Sequence, residues 1–426
     1  MTALELRTNL ENLNIRNYRK FSPDIYSCLL QVSKKLRRRD IIHINATAVG
    51  GGVAEILKSQ VPLENSLGLK SCWLTIKAPR RFFNITKKIH NLLQGKNDVL
   101  AEEEMNFYRE INKSLGKSFQ NFCRQFSKAV VLVHDPQPLP IIDFIPKDFL
   151  AILRLHIDLL TPNAVMREAL RPFIAKYAAV ILSSPHYRIS FPWLQKSKIK
   201  IVPPAIDPLS EKNRLMELDT AKIVLEQFGI NTSRPIITQV SRFDPWKDPL
   251  GIIKAYYIAK NQIPDLQLVL AGFFLAKDDP EAISVFEQVK KHDRGDPDIF
   301  LFSDTRKLKD ISNDSFVNAL YTASDVIIQK SIREGFGLTM TEAMWKAKAV
   351  VAGKTSGALL QIKSGKNGIL VSSPEEAGRA VVRLLKNKKL RDKLGKAARK
   401  SVKQKFLIPR FLLDNLKIYL QIVHKK

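Results

Sequence analysis

The sequence is poor in cysteine, holds no long apolar run and is short of acid. Cys28, Cys72 and Cys123 are the only cysteines among 426 residues. An odd, scattered set excludes a disulfide framework and a paired-cysteine zinc site, and fits reduced thiols. No stretch approaches the roughly 20 apolar residues of a membrane span. The start, Met1-Thr2-Ala3-Leu4-Glu5, lacks the basic head and apolar core of a secretion signal. These absences point to a cytoplasmic protein. The seven histidines show no metal-ligand spacing, so no tightly bound metal is expected. Acids number 41 against 69 Lys and Arg, a formal charge of +28. That balance favours anionic partners: nucleic acid, acidic lipid or phosphorylated ligands. No nucleic-acid module signature appears, so charge alone speaks for that partner.

What is present is globular: 45% hydrophobic and 26% charged, long enough for two or three domains. Basic residues concentrate at Lys34-Lys35-Leu36-Arg37-Arg38-Arg39 and over residues 386–405, which carry ten basic residues and one acid, Asp392. The plain reading is a solvated helix face. The functional alternative is docking on an anionic membrane surface or another polyanion.

One stretch organises the rest. The apolar run Asp325-Val326-Ile327-Ile328-Gln329 reads as a buried strand. After it come Ser331-Ile332-Arg333-Glu334-Gly335-Phe336-Gly337-Leu338-Thr339-Met340-Thr341-Glu342. Gly335 and Gly337 keep the turn bare, and a helix is expected from Leu338, with Thr339 and Thr341 in its first turn. Its free N–H groups and dipole make an anion site, and Glu334 and Glu342 flank it as acceptors for hydroxyl pairs. A strand, a bare turn, an anion-binding helix start and two carboxylates suit a sugar nucleotide.

Other groups also follow strands. Residues 41–45 are a short strand leading through Gly50-Gly51-Gly52 into a helix, where bare backbone can approach a ligand closely. Residues 130–133 form a strand ending in His134-Asp135-Pro136-Gln137-Pro138, and residues 151–155 one ending in His156. Carboxyl ends of parallel strands are where open sheets bind ligands. Phe83-Asn84-Ile85-Thr86 is expected in a loop, offering a ring, an amide and a hydroxyl to a small polyhydroxylated acceptor. Residues 201–208, with three prolines, read as a connection between domains. A second alternating unit follows, which implies a parallel sheet. After its first strand Arg242 and Lys247 offer two cations for a diphosphate, with Asp248 and Pro249 opening the next helix. Asp296-Pro297-Asp298 precedes a strand rather than ending one, and reads as a turn.

The spacing of Glu334 and Glu342 resembles the signature of retaining glycosyltransferases with the GT-B fold. Residues 44–55, 82–87, 134–138, 240–247 and 331–345 together resemble the trehalose synthases of glycosyltransferase family 4. The similarity runs from about residue 40 to the C-terminus, and retaining trehalose phosphorylases share several of the motifs. The resemblance implies an α/β protein of two Rossmann-like domains with a ligand cleft between them. The expected divisions are 1–205 on the acceptor side, 206–405 for the nucleotide sugar, and a helix over 406–426 packing on a domain surface. It implies that Arg242 and Lys247 hold the diphosphate, Glu342 the ribose and Glu334 the glucosyl hydroxyls, with Gly335, Phe336, Gly337, Leu338 and Thr339 around the donor. His156 is implied near the reacting carbon, Asp135 at the acceptor with Asn84 and Gln137, and Gly51 and Gly52 on the phosphate and acceptor side. The implied reaction moves glucose from a nucleoside diphosphate glucose to free glucose, forming trehalose with retention. A divalent cation, where it helps, would come with the nucleotide.

Two stretches depart from the family pattern. Ser356, in Gly353-Lys354-Thr355-Ser356-Gly357-Ala358, stands where the family carries the first of two glycines, and residues 301–307 leave the nucleotide base unread. Three alternatives stay open: a transferase with a lipid or cell-surface acceptor, a phosphorylase, and a sugar-nucleotide-binding protein with a degenerate site.

Overall fold

The computed structural model describes residues 3–273 and 281–424. They fall into two compact units, the first holding residues up to 204 and from 408 onward, the second the remainder. In the first unit the strands are β1 Leu4–Leu6, β2 Asp40–Asn45, β3 Lys70–Ile76, β4 Ala129–His134, β5 Leu150–Leu155, β6 Ala179–Leu182 and β7 Ile199–Ile201. The helices are α1 Pro23–Leu36, α2 Gly52–Ser66, α3 Arg80–Leu93, α4 Glu102–Cys123 and α5 Ala164–Ile174. The seven-stranded sheet has the order β1-β3-β2-β4-β5-β6-β7, parallel except for β1. Covered on both faces, its central strands are continuous apolar runs; every position of β4 and β5 is buried.

The second unit continues with β8 Ile236–Val240, β9 Gln267–Ala271, β10 Ile299–Phe302, β11 Val326–Gln329, β12 Ala349–Gly353 and β13 Ile369–Val371. Its helices are α6 Leu218–Glu226, α7 Pro249–Lys260, α8 Ala282–His292, α9 Asn313–Ala323, α10 Leu338–Trp345, α11 Ser356–Gln361, α12 Pro374–Lys386 and α13 Lys388–Lys405. The six strands are parallel, in the order β10-β9-β8-β11-β12-β13. A last helix, α14 Ile408–Val423, returns to the first unit and packs on α1 and α2.

Each sheet reverses direction once. In the first, the chain runs from β2 out to β3 and then comes back to β4 on the other side of β2. In the second, it runs from β8 through β9 to β10 and returns to β11 beside β8. The β2/β4 and β8/β11 junctions are therefore the topological switch points, where loops diverge and leave a crevice.

One expectation is corrected. Phe83-Asn84-Ile85-Thr86 is not a loop but part of α3, which buries Phe82, Phe83, Ile85, Thr86 and Ile89. The apolar residues at 82, 85, 89 and 92 follow the 3.6-residue period, and that period prevails over the polar residues among them. Phe83, 6% exposed, is a core residue and cannot pack on a sugar. At the N-terminus, Leu4–Leu6 pairs antiparallel with β3 and closes that edge of the sheet.

Candidate active site

The second unit brings its predicted residues together at the β8/β11 switch point. The loop after β8 carries Arg242 and Lys247, and the loop after β11 carries Glu334 to Gly337. The loops are stitched by the Ile332 N–H donating to Trp246 O at 2.8 Å. Buried glutamines at the strand ends reinforce this: Gln239 donates to Lys247 O (3.0 Å) and Gln329 to Val240 O (2.9 Å). Lys247 forms an ion pair with Glu334, and Arg242 lies 3.7 Å from Asp244.

Gly337 caps α10 in the left-handed region, at φ 84°, a conformation that disfavours any side chain. Leu338 and Thr339 begin the helix behind it. Glu334 O accepts from the Gly357 N–H at 3.0 Å, and Gln361 donates to Phe336 O at 2.6 Å while accepting from Thr341 Oγ1 at 2.7 Å. A Cβ on Gly357 would lie 2.4 Å from Phe336 O. The close backbone approach thus falls on Gly357, which is glycine here, and Ser356 is the buried first residue of α11. Phe336 is itself buried, edge-on to Phe406.

Glu342 points from α10 into a built setting. It is 5% exposed, accepts from Tyr321 Oη at 3.0 Å and lies 3.8 Å from Lys212 Nζ, which also faces Asp314 at 3.6 Å. Burial, and then the adjacent Glu342, hold the Tyr321 hydroxyl well above its usual pKa, so it remains a donor. Sequence reading missed Lys212 and Tyr321, because neither belongs to a motif and only the fold carries α9 to α10.

The first unit gathers a second set at its own switch point. Gly51 caps α2, and a Cβ there would meet nothing within 4 Å, so internal packing does not demand glycine; Gly52 follows, exposed. After β4, Asp135 adopts φ 62°, is buried, and accepts the His156 backbone N–H on Oδ1 at 2.7 Å. Gln137 is buried as well. Its side chain meets His90 Nε2 of α3 at 3.3 Å, and its carbonyl accepts from Asn112 at 3.1 Å. Asn84 lies on the exposed side of α3; the α3 residue that bonds Gln137 is His90. Burial pushes Cys72 and Cys123 up to about 12, which removes both as nucleophiles. Asp296 and Asp298 sit in a turn before β10, tied to Lys260 (3.5 and 2.6 Å), with Arg234 2.7 Å from Asp298.

This geometry can be set beside known proteins. Residues 43–189 match the family described as trehalose synthase, N-terminal domain, and residues 222–401 match glycosyl transferases group 1. A trehalose synthase of Rubrobacter xylanophilus is 39% identical over 98% of this chain and 99% of its own length. One from Pyrococcus horikoshii is 42% identical over 91% of each. The chain belongs to the trehalose synthase family. It is a glycosyltransferase. Among solved structures, a UDP-forming α,α-trehalose-phosphate synthase of Burkholderia xenovorans in complex with glucose-6-phosphate superposes with a TM-score of 0.73 over 90% of this chain and all of that one, at 14% identity. A sucrose-phosphate synthase of Thermosynechococcus elongatus gives 0.70 over 91% of this chain, at 18% identity. At such identities they show the fold, and it is GT-B. Among the described residues no helix is long and apolar enough to cross a membrane.

Proposed function

We propose that this enzyme transfers glucose from a nucleoside diphosphate glucose to free glucose, giving α,α-trehalose with retention of configuration. The observation that carries this reading is near full-length similarity to trehalose synthases, at 39% identity over 98% of the chain. The two switch-point loop sets supply fitting chemistry. Arg242, Lys247 and the start of α10 neutralise the diphosphate and stabilise it as it leaves. Glu342 takes the ribose hydroxyls and Glu334 those of the glucosyl group. Lys247 already faces Glu334, so a donor would divide the pair, with phosphate oxygens taking the cation and sugar hydroxyls the carboxylate. In the first unit Asp135 holds the acceptor, with Gln137 beside it, and His156 lies near the reacting carbon. The acceptor hydroxyl attacks the face from which the phosphate departs, and the departing phosphate takes its proton. No tightly bound metal enters this scheme; a divalent ion arrives with the nucleotide.

The test uses labelled glucose, several glucose nucleotides and trehalase. A trehalase-sensitive product is expected, lost in Asp135→Asn, which tolerates the left-handed backbone that alanine would strain. Transfer to lipid extracts with none to glucose would overturn the reading. That second reading, a surface-docked transferase, draws on α13, where Lys389, Lys393, Lys396, Lys400 and Lys403 are exposed. Flotation with anionic vesicles separates the two, because a freely diffusing enzyme stays at the bottom of the gradient.

A further inference from the structure

Three imidazoles lie in a row across the carboxyl ends of adjacent parallel strands. His43 belongs to β2, His134 ends β4 and His156 follows β5. His43 Nδ1 is 3.1 Å from His134 Nε2, and His134 Nδ1 is 3.0 Å from His156 Nε2. At the inner end His43 Nε2 is 3.0 Å from Glu64 Oε2 of α2. Neighbouring rings stack at 5.4 and 5.3 Å between centroids. His43 and Glu64 are fully buried and His134 nearly so, while His156 is partly exposed. Glu64 is further surrounded by donors, with Ser71 Oγ at 2.6 Å and Gln60 Nε2 at 2.8 Å. The four groups form a line rather than a cluster about a point: among the described residues no group of three His, Cys, Asp or Glu is placed to hold a metal ion.

A neutral imidazole donates from one nitrogen and accepts at the other, whereas a carboxylate only accepts. Glu64 therefore makes His43 Nε2 a donor and leaves its Nδ1 as an acceptor. His134 must then donate from Nε2 and accept at Nδ1, and His156 must donate from Nε2 in turn. We propose that Glu64, His43 and His134 are positioning residues that act through this chain to hold His156 as the Nε2–H tautomer, its Nδ1 lone pair kept to accept a hydroxyl of the bound sugar. The role rests on the reading of His156 as a site residue. The hydrogen-bonded line itself does not.

His134 and His156 stay neutral for physical reasons. Burial, then the neighbouring imidazoles and Arg154, hold His134 well below the usual histidine range; burial, then Arg154 and His90, do the same for His156. Asp135 accepts the His156 backbone N–H. Buried polar chains of this kind are costly when one member goes unsatisfied, so loss of Glu64 should be felt three groups away.

The test is histidine-selective ¹⁵N labelling of the full chain, with two-bond ¹H–¹⁵N correlations read at neutral pH and assigned by single His→Gln variants. Wild type should show His43, His134 and His156 all protonated at Nε2 and bare at Nδ1. In Glu64→Gln, whose amide can donate or accept, His156 should become a mixture of tautomers. Transfer should fall about tenfold or more, as for other outer partners that fix an imidazole, with nucleoside diphosphate affinity unchanged. His156 protonated at Nδ1 in wild type would overturn the proposal, and that measurement needs no variant to fold. An unchanged His156 tautomer in Glu64→Gln would also overturn it. A His156→Ala variant with full transfer activity would instead remove His156 from the site, and its role with it, while the tautomer result stood.

Discussion

Lys247 and Glu334 face each other across two loops, so a substitution at either changes both. Arg242→Ala or Lys247→Ala removes a cation from the loops proposed to hold a diphosphate, and each should lower turnover on the order of a hundredfold. Nucleoside diphosphate affinity, read by calorimetry, should fall with it. Unchanged affinity in both variants would take these residues out of the donor site. The histidine row makes a separate prediction about pH. His134 and His156 are held below the ordinary value of 6.5 in the folded chain, so unfolding at lower pH takes up protons. Their contribution is complete above pH 6.5 and is lost as pH falls below it, at up to about 1.4 kcal/mol per pH unit for each histidine. Denaturant midpoints should drop between pH 6.5 and 5.5, and His134→Gln should flatten that slope. An identical slope in the variant would show that other groups carry the pH dependence. At this scale the meeting of the Arg242–Lys247 loop with the Glu334 loop was legible because both follow apolar strands, the second through the bare turn of Gly335 and Gly337. His134 and His156 were legible as strand ends. Glu64 was not, because a Glu inside a helix looks the same whether it faces water or a buried imidazole.

Among the elements, α7 shows how a cap serves a site. Asp248 is its N-cap, accepting from the Gly251 N–H at 3.1 Å, and it also pairs with Lys330 of the loop after β11. Lys330 is 7% exposed, so Asp248→Ala would remove a cap, worth about 1 kcal/mol, and the partner of a buried ammonium, worth about 3 kcal/mol, and would strain a left-handed backbone at φ 51°. The expected loss of at least about 3–4 kcal/mol should appear in chemical denaturation, together with weaker binding at the proposed donor site, because Lys330 adjoins the loop of Glu334. A loss below 1 kcal/mol would mean that water replaces the carboxylate. The Asp248-Pro249 start was legible from cap chemistry, and the helix lies where that pair places it. The segment over Phe83 and Asn84 was misjudged because polar residues stand between its apolar ones. A sequence does not state which face of such a segment meets a sheet, and Phe82 and Ile89 at 0% exposed give the answer only once β2 and β4 are in place.

The whole molecule departs from simple chain order, because α14 belongs to the first unit although it follows the second in sequence. A terminal helix with apolar residues at helical spacing announced that it would pack somewhere, but not where. The buried charge it completes decides the matter. Arg154, on the central strand β5, is 2% exposed; it donates to Asn415 Oδ1 at 2.8 Å and to Val202 O at 3.0 Å, and its guanidinium stands 4.5 Å from the Phe411 ring. Burial lowers its pKa to about 10, so it remains charged at neutral pH and needs those partners. Ending the chain at Leu407 would strip Asn415 and Phe411 from Arg154, uncover the surfaces of α1 and α2 on which α14 packs, and leave a cation in an apolar gap. Leaving a buried charge unpaired costs several kcal/mol, on the order of a domain's whole stability. The shortened chain should therefore lose the first unit's cooperative unfolding while residues 205–407 keep theirs. Calorimetry would show one transition where the full chain has more, and limited proteolysis would leave a fragment of the second unit. Asn415→Ala, which removes the hydrogen bonds to Arg154 and to Phe411 O but leaves the helix in place, should cost about 1.5–3 kcal/mol and spare the second unit's transition. A truncated chain in which both units melt as before would mean that α14 rests on the first unit without supporting it.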